Sequence, residues 1–143
     1  MSFGLIIINF NSFGDSERIE LENFLSTTKC EVCFIDTSKN KKALWNLKSL
    51  NLSNNFSFLQ LKNNKGDKYL IKSGTRILIS ENDFDLIVFA NNDEIYKLNE
   101  LSLFFNNSYK ERKLIENIKR SPSRNILNNV FSINEIVKEK QIC

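Results

Sequence analysis

Histidine is absent from this 143-residue chain, and only three cysteines, one proline and four glycines occur in it. Without histidine the sequence has neither the Ser-His nor the Cys-His pairing that activates many protein nucleophiles. Three cysteines are too few for the framework of a disulfide-rich domain. The composition therefore excludes a histidine-dependent hydrolase and argues against a disulfide scaffold.

Two of the cysteines form a C-x-x-C pattern, Cys30-Glu31-Val32-Cys33. The pattern leads into an apolar stretch typical of a strand, whereas a redox-active pair opens a helix. Residues three apart on a strand point to opposite faces, and a zinc site here would lack further ligands. We therefore predict that both cysteines are buried structural thiols.

Long apolar runs are also missing, and none approaches the roughly 18 residues of a membrane-spanning helix. The first residues, Met1 to Gly4, have no basic region and no cleavage site, so no signal peptide is expected. Residues 110–143 carry eight Lys/Arg against four Asp/Glu, which accounts for the net charge of +3. We expect a cytoplasmic protein without a nucleic-acid partner. The alternative is that the basic tail holds it peripherally at the inner face of the membrane.

Two common phosphate-binding fingerprints do not occur. The chain has no G-x-G-x-x-G and no G-x-x-x-x-G-K-[ST], which argues against a dinucleotide-binding fold and a P-loop. A phosphoacceptor receiver domain needs acidic residues after its first strand, where this chain has Asn9 and Asn11. Any nucleotide site must therefore be built differently.

The residues that are present predict one α/β domain. Short apolar runs alternate with helix-spaced segments in the order β-α-β-α-β-α-β-α, which indicates a mainly parallel sheet flanked by helices, with right-handed crossovers. The predicted strands are Leu5–Asn11, Glu31–Ile35, Phe56–Leu61 and Leu86–Ala90. The predicted helices are Glu17–Ser26, capped by Asp15 or Ser16, then Lys41–Leu50 and Leu70–Ser80.

The pattern changes past Glu94. Helix-spaced apolar residues predict one long or broken helix that ends before Pro122, and no strand-like block is recognised from Ile95 to Cys143. We therefore divide the chain into an α/β core, 1–96, and a helical C-terminal extension, 97–143. The extension either belongs to the same domain or binds a partner or a second copy of the chain.

Polar residues stand at the end of each predicted strand. In parallel α/β sheets ligands bind outside the carboxyl ends of the strands, so these residues are predicted to share one rim. Each alone has a structural explanation, because Asn is a common turn residue and Asp36 can cap a helix. The four groups are Asn9 with Asn11, Asp36, Asn63 to Gly66, and Asn91 to Glu94.

Asn91 and Asp93 supply two side-chain oxygens two residues apart at the end of the last predicted strand. Mg²⁺ and Mn²⁺ bind carboxylate and amide oxygens and leave positions for phosphate oxygens. A diphosphate leaving group needs such charge neutralisation. The rim is therefore interpreted as a nucleotide-diphosphate site with a metal at Asn91 and Asp93.

These motifs resemble, in order, those of the nucleotide-sugar-binding half of family 2 glycosyltransferases. Ile6 to Asn11 is similar to the family's opening strand ending N-Y-N, and Glu31 to Ser38 is similar to its second strand ending D-N-x-S. Asn64-Lys65-Gly66 resembles the N-x-G turn, and Ile87 to Asp93 resembles the D-x-D-type strand in an N-x-D form. The resemblance covers Phe3 to Tyr96.

The resemblance implies a Rossmann-like GT-A fold and a glycosyltransferase function. The implied reaction is inverting transfer of a sugar from a nucleotide diphosphate sugar to a glycan or lipid-linked acceptor in surface polysaccharide synthesis. It implies Mn²⁺ or Mg²⁺ as the cofactor, held by Asp93 and Asn91, and it puts Asp36 on the nucleotide base. The residues implied to contact the donor are Asn9, Asn11, Asp36, Asn64, Gly66, Asn91 and Asn92.

The chain departs from the family in two respects. First, larger residues replace small ones in the helix after Gly66 and narrow the expected donor pocket; they are Asp67, Lys68, Tyr69 and Lys72. Second, the family continues well past its D-x-D strand, and that part supplies the acceptor site and the catalytic base. Here no carboxylate is marked as the base, so a non-catalytic GT-A-like scaffold or partner-binding subunit is the alternative function.

Overall fold

A computed structural model describes residues 3–9, 14–36, 56–61, 65–81, 83–105, 113 and 130–142. These residues form an α/β structure with helices on both faces of a sheet. The strands are β1 (Phe3–Ile8), β2 (Glu31–Asp36), β3 (Phe56–Gln60), β4 (Leu86–Asn91) and β5 (Val130–Ser132). The helices are α1 (Asp15–Thr27), α2 (Asp67–Glu81), α3 (Leu98–Phe105) and α4 (Ile133–Ile142), with a 3-10 helix (Asn92–Lys97) between β4 and α3.

The described strands are all parallel and lie in the order β3-β2-β1-β4-β5, a Rossmann-like arrangement. The chain moves outward from β1 to β2 with α1 on one face. It crosses back from β3 to β4 with α2 on the other face. Because crossovers between parallel strands are right-handed, a helix lies on one face when the chain moves one way across the sheet and on the other face when it moves back. The reversal creates a switch point between β1 and β4, where the carboxyl ends of the two strands leave a crevice.

Strand β1 forms the centre of the core. Leu5 and Ile7 pack in the layer that contains α1, whereas Ile6 and Ile8 pack in the layer that contains α2, and all four are fully buried. A parallel strand covered on both faces has a continuous apolar sequence, which explains why this run shows no alternation. Burial of each such side chain contributes about 1.5–3 kcal/mol.

Helix α2 approaches the sheet closely at Gly74. A Cβ atom added there would lie 3.0 Å from Cγ2 of Ile6, closer than non-bonded carbon atoms normally pack. Because Ile6 is fully buried, its side chain has little room to move away. The missing side chain of Gly74 therefore sets the distance between α2 and β1.

The two described cysteines are buried on opposite faces of the sheet, as the predicted strand alternation requires. Cys30 packs with the α1 layer and Cys33 with the α2 layer, and neither forms a disulfide. Burial raises the pKa of each thiol to about 12, with the Glu31 carboxylate adding to the effect at Cys30. Their burial as free thiols is what the sequence predicted.

The prediction that no strand follows Ile95 is wrong. Strand β5 pairs with β4 in parallel, with Val130 opposite Ile87, and extends the sheet at that edge. Ile133 and Ile136 of α4 are buried in the same layer as α1. A three-residue strand is too short to show a periodicity, so its pairing becomes visible only in the fold.

Some predictions lie outside the described residues. They are the Lys41–Leu50 helix, the stop before Pro122, and the placement of Asn11 and Asn64. Within the described ranges, no helix is both long and apolar enough to cross a membrane.

Candidate functional site

The candidate site lies at the switch point, where the carboxyl ends of β1 and β4 are adjacent. Ile8 of β1 is in register with Asn91 of β4, so the residue that follows β1, Asn9, emerges beside the end of β4. The 3-10 helix after β4 leaves the sheet at this edge. Side chains from distant parts of the chain meet here.

Asn9 connects three elements at this edge. Its Nδ2 atom donates to Oδ1 of Asn91 at 2.8 Å and to Oδ1 of Asp67, in the first turn of α2, at 3.1 Å. Its φ is 55°, in the left-handed region, where Asn is better tolerated than most side chains. The left-handed residue turns the chain away from β1, and the amide of the same residue joins β1 to β4 and α2.

Asn91 is fixed from its other side by Glu94. The backbone N–H and the Nδ2 atom of Asn91 both donate to Oε1 of Glu94, at 3.0 and 3.1 Å. With Asn9 donating to its oxygen, the amide of Asn91 has one consistent orientation. Its nitrogen faces Glu94 and its oxygen faces Asn9.

The hydrogen bonds continue into the C-terminal part of the chain. Nδ2 of Asn134, in the first turn of α4, donates to Oε2 of Glu94, and Nζ of Lys97 donates to Oδ1 of Asn134. Glu94 is thus held at both carboxylate oxygens, which makes it a positioning residue. We define the switch-point network as this connected set: Asp67, Asn9, Asn91, Glu94, Asn134 and Lys97.

The other predicted site residues take different positions at the same edge. Asp36 is the last residue of β2, in register with Gln60 at the end of β3. Gly66 precedes α2 with φ of 104°, a conformation that favours glycine. Asn92 begins the 3-10 helix and is buried, whereas Asp93 beside it is exposed.

The side chains described at this edge fit a divalent cation only in part. Within the described ranges, no three Cys, Asp or Glu side chains are close enough together to hold a metal ion. Asn91 already uses its oxygen to accept from Asn9. The exposed carboxylate of Asp93 fits the usual role of a single protein ligand to Mg²⁺, with phosphate and water oxygens completing the shell.

A cleft of ≈ 180 Å³ opens next to the switch-point network, between α1 and the 3-10 helix. Sequence patterns did not identify its α1 side, because Glu17 and Glu20 look like an ordinary solvent-facing helix surface. Only the path of the chain after β4 brings them opposite Asp93. The lining residues are Ser16, Glu17, Glu20, Asn92, Asp93, Ile95 and Tyr96, and we call this pocket the α1 cleft.

Glu17 closes the N-terminus of α1. The backbone N–H of Gly14 and the hydroxyl of Ser16 donate to Oε2 of Glu17 at 3.1 and 3.0 Å. Helix α1 therefore begins after Gly14, and the predicted caps Asp15 and Ser16 are its first residues. Partial burial alone would raise the pKa of Glu17. The hydrogen bonds outweigh this effect and lower the pKa overall; besides Gly14 and Ser16, the donors are the N–H of Glu17 itself and the side chain of Asn92.

Comparison with known proteins finds no matching family model, no matching curated sequence and no matching solved structure. Functional interpretation therefore rests on the geometry of this edge and on the motifs that form it.

Proposed function

We propose that the protein binds a nucleotide diphosphate sugar at the switch point and transfers the sugar, with inversion, to a hydroxyl of a glycan or lipid-linked acceptor. The observation that carries the proposal is the sheet order combined with the network at the β1 and β4 ends. Open α/β sheets bind nucleotides at this place. The resemblance of the four strand-end motifs to family 2 glycosyltransferases supports a nucleotide sugar as the ligand.

The proposed ligand lies across the carboxyl edge. The base and ribose lie toward the end of β2, where Asp36 would accept hydrogen bonds from them. The diphosphate lies toward the end of β4, beside Asp93. Asn9 and Asn91 hold the two strand ends together beneath it, so the network fixes the floor of the site.

Charge at this edge makes a cation necessary for diphosphate binding. The described edge carries the carboxylates of Asp67, Asp93 and Glu94 and the ammonium groups of Lys65 and Lys97. A bare diphosphate would be repelled by these carboxylates. Mn²⁺ or Mg²⁺ held by Asp93 would neutralise the diphosphate and so favour its departure.

Inverting transfer needs a base on the side of the acceptor. The acceptor oxygen attacks the anomeric carbon as the bond from that carbon to the diphosphate breaks, and the electron pair leaves with the diphosphate. The hydroxyl proton passes to a carboxylate. Glu94 is occupied by hydrogen bonds at both oxygens and Asp93 is assigned to the cation, so the base is neither of these two carboxylates.

Titration calorimetry with UDP, GDP and dTDP, each with and without Mn²⁺, tests the donor site. We expect at least one diphosphate to bind, and only in the presence of Mn²⁺. Asp93→Asn should abolish that binding. Asp83→Asn, which removes an exposed carboxylate before the amino end of β4, should preserve it. Failure of all three nucleotides to bind with Mn²⁺ would contradict the proposal.

A non-catalytic GT-A-like scaffold is the second candidate. It is favoured by large apolar side chains exposed on the α1 face and near α3, which are Ile19, Tyr96 and Leu103 at 52%, 64% and 56% of their full exposure. Such a surface would bind a partner subunit or a second copy of the chain. A stable oligomer by light scattering, together with no binding of any nucleotide diphosphate, would favour the scaffold over the enzyme.

A further inference from the structure

The α1 cleft is too small for the nucleotide itself. Its volume of ≈ 180 Å³ lies below the roughly 300–1,000 Å³ that drug-sized ligands occupy. It suits one ring-sized group. Because Asn92 and Asp93 line it, the cleft opens directly beside the end of β4, where the proposed diphosphate lies.

The polar groups of the cleft favour a ligand that donates hydrogen bonds. Glu17 is used in closing α1, but among the described residues no hydrogen bond or ion pair is found for the carboxylates of Glu20 and Asp93. Carboxylates accept short, strong hydrogen bonds from hydroxyl groups. Two such acceptors on opposite walls, Glu20 on α1 and Asp93 on the 3-10 helix, match a ligand with several hydroxyls.

Tyr96 adds a flat apolar wall. It is 64% exposed, and Nζ of Lys97 lies over one face of its ring, 5.6 Å from the centroid. The other face can stack against the apolar face of a sugar ring, as amphipathic aromatic side chains do with such ligands. The ring therefore offers an apolar stacking surface, while the carboxylates of the cleft can accept hydrogen bonds from the hydroxyls around a sugar ring.

We propose that the α1 cleft binds one neutral sugar ring of the acceptor saccharide, stacked on Tyr96 and hydrogen-bonded to Glu20 and Asp93. This inference rests on the proposed function, because the site of transfer lies where the cleft meets the end of β4. It supplies an acceptor subsite from α1 and the 3-10 helix, within the first 96 residues of the chain.

NMR titration of the full chain with neutral methyl glycosides of glucose, galactose, N-acetylglucosamine and rhamnose tests the inference. At least one glycoside should shift the signals of Tyr96 and Glu20. Tyr96→Ala and Glu20→Gln should each weaken that binding at least tenfold while leaving Mn²⁺-dependent nucleotide binding unchanged. Mn²⁺ is left out of the glycoside titrations, and Mg²⁺ alone and glucosamine are run in parallel.

The chain provides matched controls. Tyr69 on α2 is also exposed, with Nζ of Lys65 5.4 Å from its ring centroid, but it does not line the cleft. Tyr69→Ala and Glu100→Gln, the latter at an exposed position of α3, should therefore leave glycoside binding unaltered. Equal losses in Tyr69→Ala and Tyr96→Ala would overturn the assignment to the cleft.

The two proposals fail in distinguishable ways. Nucleotide binding without any glycoside-induced shift in the cleft would overturn the acceptor subsite and leave the donor site standing. Shifts caused by Mg²⁺ or glucosamine but by no neutral glycoside would also overturn it, because the cleft would then be a cation site. Glycoside binding without binding of any nucleotide diphosphate would support the cleft and contradict the transferase function.

Discussion

Substitution of Asn9 separates the two tasks of this residue, its left-handed backbone and its bridging side chain. Asn9→Ala removes the donor of the hydrogen bonds to Asn91 and Asp67, each worth about 0.5–1.5 kcal/mol net. It also places alanine at φ 55°, which costs about 1–2 kcal/mol. The hydrogen bond to Asp67 is exposed, so its contribution lies at the low end of this range. Together these terms predict a loss of roughly 2–4 kcal/mol in the free energy of unfolding.

Asn9→Gly loses the same hydrogen bonds but accepts the backbone conformation. Glycine avoids the strain that alanine has at this φ, but its greater freedom in the unfolded chain offsets part of this advantage. Asn9→Gly should therefore be more stable than Asn9→Ala by roughly 0.5–1 kcal/mol. Urea unfolding followed by circular dichroism measures both. Asn23→Ala, on the exposed surface of α1, is the control and should change stability little. If Asn9→Ala is no less stable than this control, the bridging role of Asn9 is refuted.

Two further outcomes follow from packing and from charge. Overpacking of the new methyl group against Ile6 should cost Gly74→Ala about 1–3 kcal/mol, against a gain of about 1 kcal/mol from placing alanine in a helix interior, so we expect a net loss of up to about 2 kcal/mol in urea unfolding. Ser73→Ala beside it should be nearly neutral, and a clear gain in stability for Gly74→Ala would contradict the close approach. The stabilisation from the lowered pKa of Glu17 is complete above the ordinary value of 4.5 and is lost as the pH falls through the lower folded value. Glu17→Gln should therefore reduce the free energy of unfolding at pH 7, and its stability should fall less steeply than that of the wild type as the pH is lowered. Parallel curves of stability against pH for the variant and the wild type would refute the stabilising role of the Glu17 carboxylate.

Much of the fold follows from local patterns. The apolar runs predicted β1, β2, β3 and β4 because each strand carries its own burial signal, and the alternation of helices and strands predicted a parallel sheet. Strand β5 escaped prediction because three partly buried residues at a sheet edge carry no such signal. Its place beside β4 is determined by pairing, which is a property of two segments together.

Only part of the candidate site could likewise be predicted from the sequence. Asn9 and Asn91 could be expected to approach each other, since both end strands of a parallel sheet, and their amides are in contact. Lys97 and Asn134 could not be placed, because the hydrogen bonds of Asn134 with Glu94 and with Lys97 require α4 to dock beside the 3-10 helix. Glu20 looked like a solvated helix residue for the same reason, since its opposite wall comes from a distant part of the sequence.

The position of β5 has a consequence for how the chain is made. Residues 130–142 are synthesised after the rest of the described sheet, yet β5 covers the edge of β4 and α4 buries Ile133 and Ile136 in the layer that contains α1. Until they leave the ribosome, the nascent chain presents an open strand edge and an uncovered apolar layer, both of which invite association with other chains. Synthesis interrupted before Val130 would therefore release an aggregation-prone fragment. Chaperones should bind the nascent chain most strongly after β4 has emerged from the ribosome and before β5 and α4 have emerged.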